Sequence, residues 1–100
     1  MAVKLTGHQI DVVLSTLDGW TQAGGSIKRE YEFTDFISAA MFVAGVSLEA
    51  EKMNHHPNLC HSGVTVKVEL TTKDVGGISE LDLRLAKKMD GRARQLIEKV

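Results

Sequence analysis

Asn54-His55-His56-Pro57 places two adjacent imidazoles directly before the only proline of the chain. Histidine both gives and takes a proton near neutral pH, so the pair fits general acid and base chemistry. Such chemistry needs groups that hold the ring. Glu51 lies four residues before His55, one helical turn back, where it can orient that imidazole, and Asp82 or Lys73 can approach from the far side of a later turn. A solvated helix end accounts for the same residues, because a protonated histidine is favoured near a helix C-terminus and proline commonly follows one. At the level of residues both readings stand.

Other candidate chemistry is weaker. His55, His56, Cys60 and His61 are zinc-ligand types, but a strand sends Cys60 and His61 to opposite faces, and no Cys-x-x-Cys or His-x-x-x-His pair sets a tetrahedral geometry. No metal site is expected. Cys60 in an apolar strand is expected to be buried as a small hydrophobe rather than to act as a nucleophile. Gly76-Gly77 before a helix start can bind an anion, and turn geometry explains it equally well. Lys87, Lys88, Arg92 and Arg94 alternate with Asp82, Asp90 and Glu98, the pattern of a solvated helix face.

The elements that must position these residues follow from periodicity. Thr6-Gly7-His8-Gln9 has capping-box spacing, and Ile10, Val13, Leu14 and Leu17 continue a helix from about Thr6 to Leu17. Ala23-Gly24-Gly25-Ser26 reads as a hairpin turn. Ile27, Arg29, Tyr31 and Phe33 then alternate with Lys28, Glu30 and Glu32, one face buried and one wet. Thr34 is the expected cap of a second helix, with Phe36, Ile37, Ala40, Met41, Val43, Ala44 and Leu48 as its apolar face, ended by Pro57. Leu59-Cys60-His61 and Val64 to Leu70 read as two strands about a turn at Ser62-Gly63. Ser79-Glu80-Leu81-Asp82 repeats the capping pattern, and Leu85, Ala86, Met89, Ala93, Leu96, Ile97 and Val100 form the stripe of a last helix that tolerates Gly91. The order α-β-β-α-β-β-α predicts one α+β domain over residues 1–100, a four-stranded antiparallel sheet with three helices on one face.

Composition limits the partners. The 100 residues carry 12 basic and 13 acidic side chains, a formal charge of −1, which provides no electrostatic footprint for nucleic acid or an anionic membrane. No apolar run reaches membrane-spanning length, and the first residues lack the apolar core of a secretory signal, so a cytoplasmic location is expected. A single cysteine excludes an internal disulfide and suits a reducing compartment.

Glu51-Lys52-Met53-Asn54-His55-His56-Pro57, the run from Leu70 through Thr71-Thr72-Lys73-Asp74-Val75-Gly76-Gly77 to Asp82, and Leu85-Ala86 together resemble the pterin-4a-carbinolamine dehydratases. Asp18-Gly19-Trp20 and the strand ending at Phe33 extend the likeness over nearly the whole chain. The resemblance implies three helices on a four-stranded antiparallel sheet, assembled as homodimers or homotetramers. It implies dehydration of 4a-hydroxytetrahydropterins to quinonoid dihydropterins without metal or cofactor. His55 and His56 match the paired histidines, Glu51 the preceding acid and Asp82 the downstream aspartate, with Pro57 supporting the turn. On this reading one imidazole protonates the departing hydroxyl while another group takes the ring-nitrogen proton. Lys73 stands where the family usually has a third active-site histidine, as a substitute electrostatic group, and Gly63 stands where it has an aromatic residue. Leu59 replaces a tryptophan found in some members. The alternative is a binding module that keeps the fold without the reaction, since dehydratase-like proteins include a dimerisation cofactor of a homeodomain transcription factor and assembly factors for RuBisCO.

Overall fold

The computed structural model describes residues 2–98, with side chains described through residue 96. The order is α1 (Gly7–Leu14), β1 (Thr21–Ala23), β2 (Ser26–Glu32), α2 (Phe36–Met53), β3 (Asn58–Ser62), β4 (Thr65–Leu70), a 3-10 turn (Lys73–Val75) and α3 (Glu80–Glu98). The four strands form one antiparallel sheet in the order β1-β2-β4-β3, as the expected α+β fold requires. Two-residue loops make both hairpins, and each puts a glycine at positive φ, Gly24 at 61° and Gly63 at 60°. That backbone matches the twist of the flanking strands, so position 63 favours glycine for conformational reasons.

Alternation decides which sheet face is covered. Ile27, Tyr31 and Phe33, with Val66, Val68 and Leu70 of β4, are buried against Phe42, Val46 and Ala50 of α2 and Leu85, Ala86 and Met89 of α3. Phe42 sits 4.7 Å from Tyr31 and 5.0 Å from Phe33, centroid to centroid. Lys28, Glu30 and Lys67 face outward, and opposite charges meet across the ladder where Lys28 pairs with Glu69 and Glu30 with Lys67.

Several expectations are corrected. Thr6 and Gln9 do form the capping box, but α1 closes at Leu14, and Leu17 is buried from the loop beyond it. Asp35, not Thr34, caps α2 by accepting from the Ser38 N–H at 2.7 Å. The expected apolar face of α2 is mostly its outer one: Phe36, Ile37, Met41 and Leu48 are 57%, 64%, 55% and 62% exposed, whereas Ala39, Phe42, Gly45, Val46 and Ala50 are buried. The helix is apolar on two sides, so periodicity alone does not choose between them. Cys60 is exposed, because β3 turns Leu59 and His61 toward the helices and Cys60 away. Ile97 and Val100 lie outside the described side chains.

Two polar clamps tie α3 down, and both use residues that looked solvated. Arg92 lies over Gly45, where a Cβ would stand 2.5 Å from its guanidinium, and donates to Glu49 at 2.8 and 3.2 Å. This hydrogen bond holds the Glu49 carboxyl below the usual range. Asp90, 7% exposed, accepts from Trp20 Nε1 at 3.0 Å, Arg29 at 2.6 Å and the Tyr31 hydroxyl. Arg29 also stacks 4.4 Å over the Tyr31 ring. Burial, then the hydrogen bond to Asp90 and its charge, push the Tyr31 phenol far above its ordinary range, with Arg29 opposing.

A phenol raised in the folded state contributes stability that is complete below the unfolded value of about 10 and is lost as pH climbs past it. Tyr31 is the single tyrosine, so its absorbance titration is unambiguous. We expect phenolate absorbance to appear together with loss of the circular dichroism signal, and Tyr31→Phe to flatten that alkaline limb. Titration at an ordinary midpoint in folded protein would contradict the clamp.

Candidate active site

The imidazole pair is set by the way α2 ends. Asn54 takes a left-handed conformation, φ 49°. Its N–H donates to the Glu51 carbonyl at 3.1 Å and the His55 N–H to the Ala50 carbonyl at 3.0 Å, the double bond of a Schellman ending. Asparagine tolerates this backbone better than most residues. The reversal sends the two histidines apart. His55 turns inward to 9% exposure, while His56 stays at the surface and Pro57, half-buried, leads into β3.

Asp82 meets His55 from α3. Its carboxylate is fully buried and stands 2.5 Å from His55 Nε2 through Oδ1. The same side chain completes the capping box: its Oδ2 accepts from the Ser79 N–H at 2.9 Å, and Ser79 Oγ accepts from the Leu81 N–H at 3.2 Å. Thr72, just beyond β4, adds a third donor at 2.7 Å to Oδ2, and its hydroxyl lies 2.7 Å from that of Ser79. Helix capping and imidazole support therefore share one carboxylate. Among the described residues no buried side-chain polar atom lacks a partner.

The expected site residues separate into two groups. His55 and Asp82 form the interior pair. Glu51 does not reach His55, as spacing had led us to expect; it bonds His56 Nε2 at 2.9 Å in an exposed pair. Left-handed Asn54 breaks the helical phase, so the one-turn rule stops applying beyond Met53. Lys73 opens the exposed 3-10 turn directly after Thr72, and its carbonyl accepts the Gly76 N–H at 3.0 Å. His61 faces away from Cys60, bonds the Gly63 carbonyl at 2.8 Å and stacks on Phe36. No group of three or more His, Cys, Asp or Glu side chains among the described residues is arranged to hold a metal. Neither Thr72 nor Ser79 stands out in the sequence as a partner of the imidazole; the Ser79 to Asp82 capping spacing is the signal that points there. Two open concavities, about 530 Å³ against the outer sheet face at Cys60 and Lys67 and about 510 Å³ beside Asp90, are not lined by His55, His56 or Lys73.

A two-layer α+β protein with an Asp-supported imidazole at a helix-to-strand junction is equipped to move protons. The chain belongs to the pterin 4 alpha carbinolamine dehydratase family, whose model matches residues 3–92. Relatives provisionally named pterin-4-alpha-carbinolamine dehydratase include one from Prochlorococcus marinus (strain MIT 9303), 43% identical over 89% of this chain and 93% of the relative. Another, from Dinoroseobacter shibae, is 46% identical over 93% of this chain and all of the relative. A crystal structure of a transcriptional coactivator/pterin dehydratase from Brucella melitensis superposes with a TM-score of 0.89 at 36% identity, covering 91% of this chain and 99% of that one. A pterin dehydratase-like RuBisCO assembly factor of the alpha-carboxysome shares the fold, with a TM-score of 0.62 at 17% identity over 74% of this chain and 86% of that one.

Removing Asp82 strands three donors, whereas the Glu51–His56 pair is exposed. We expect Asp82→Ala to cost about 3–5 kcal/mol in urea unfolding and Glu51→Ala less than about 1 kcal/mol. Equal losses would show that the interior pair carries no special weight.

Proposed function

We propose that this chain, acting as one domain, dehydrates a 4a-hydroxytetrahydropterin to the quinonoid dihydropterin. The observation that carries the reading is His55 held by the buried Asp82 carboxylate, in a chain of the dehydratase family. In the reaction the C4a–O bond breaks, the departing hydroxyl gains a proton to leave as water, and a ring nitrogen gives one up. The balance needs no oxidant, metal or cofactor. His55 and His56 are the two proton-exchanging groups, one oriented from the interior and one open to solvent beside Glu51. Lys73, whose ammonium only donates, lies on the Thr72 side, where it can attract the leaving oxygen. Pro57 keeps the junction rigid.

The exposed stripe of Phe36, Ile37, Met41 and Leu48 supports assembly into a homodimer or homotetramer, because one helix face packed on its own copy buries it symmetrically. An exposed free Cys60 fits a reducing cytoplasm. A non-catalytic protein-binding role is the competing reading, favoured by Lys73 and Gly63 at positions where the family usually carries histidine and an aromatic.

Purified protein assayed with a 4a-hydroxytetrahydropterin is expected to exceed the uncatalysed rate, His55→Ala to lose about 10²-fold or more, and Lys73→His to retain activity. Wild type at the uncatalysed rate, with Lys73→His gaining activity, would favour the binding role and sink the enzymatic one. Met41→Glu with Leu48→Glu should yield monomers by light scattering; an unchanged mass would remove α2 as the assembly face.

A further inference from the structure

The hydroxyls of Thr72 and Ser79 form a chain whose direction is dictated by the carboxylate at its end. Asp82 Oδ2 takes the single Thr72 hydroxyl proton, so Thr72 Oγ1 can only accept from Ser79 Oγ, 2.7 Å away. Ser79 Oγ in turn accepts from the Leu81 N–H. With the Ser79 N–H on the same atom, Oδ2 holds two donors and Oδ1 is left to His55 Nε2. A carboxylate filled in this way accepts only, so the contact with His55 needs its proton on Nε2. The opposite tautomer would set an imidazole lone pair against Oδ1 at 2.5 Å, where Asp82 has no exposure to water that could relieve it.

We infer that Thr72 and Ser79 are positioning residues: they aim the Asp82 carboxylate, whose acceptance from Nε2 keeps neutral His55 as the Nε2–H tautomer and leaves Nδ1 as the nitrogen that exchanges a proton with substrate. The catalytic half of this statement rests on the dehydratase reading; the tautomer does not. Successive hydroxyls polarise one another, so the chain also stiffens the carboxylate against rotation, and a ring misplaced by a fraction of an ångström loses its reach.

Long-range proton–nitrogen correlation spectra of isotope-labelled protein, taken where the imidazole is neutral, report the tautomer directly. Wild type is expected to be Nε2–H. Thr72→Val leaves Oδ1 accepting from Nε2 but frees the carboxylate to turn, and should shift the His55 ring resonances and lower kcat about tenfold or more with KM little changed, while Thr72→Ser, which keeps the hydroxyl, restores both. A wild-type spectrum dominated by Nδ1–H overturns the inference whether or not Thr72→Val folds. So does a folded Thr72→Val with wild-type spectrum and kcat. Absence of dehydratase activity in wild type would instead count against the proposed reaction, and the spectra would still decide the tautomer.

Discussion

The buried carboxylate of Asp82 is the constraint on which the rest of the site depends. A carboxylate without exposure to water survives only if its lone pairs are occupied, and here the donors come from three separate places in the chain: His55 after α2, Thr72 after β4 and the Ser79 backbone at the start of α3. Satisfying one side chain therefore fixes the approach of a helix end, a strand end and a helix start. The hydrogen bonds that begin α3 are the same ones that aim the imidazole, so fold and site are coupled at this atom group.

The sheet and helices supply the rigidity this arrangement needs. Tyr31, Phe33 and Phe42 fill the layer between β2 and α2, and the buried side of α3 joins the same core. Asp90 and Glu49 anchor α3 farther along, each through an arginine, at Arg29 and Arg92. Buried or half-buried ion pairs add little net stability over apolar packing, but they penalise misalignment heavily, which suits a helix whose first turn must meet the His55 imidazole.

Lys73 and Gly63 take different meanings once placed. Gly63 answers to the positive φ of a two-residue hairpin, so its identity has a structural cause independent of any ligand. Lys73 sits exposed on a short turn beside Thr72, with a side chain free of the buried network that holds Asp82. The interior pair stands without help from either residue.

Element order, the two glycine hairpins, the alternation of β2 and β4 and both capping patterns were legible in the sequence because each depends on neighbours a few residues apart. The motif around Asn54-His55-His56-Pro57 likewise pointed to the family and to His55, His56, Glu51 and Asp82 as a group. Only the tertiary structure decided how they pair. Spacing assigned Glu51 to His55, whereas the left-handed turn at Asn54 hands Glu51 to His56 and leaves His55 for Asp82, 27 residues on. The same limit applies to α2, apolar on two faces, and to Asp90 and Arg92, which read as solvated until β2 and α2 came alongside. Local pattern determines which elements form and which residues can do chemistry. Long-range packing determines which face is covered and which carboxylate each imidazole meets, because those contacts join segments whose separation in the chain carries no periodic signal.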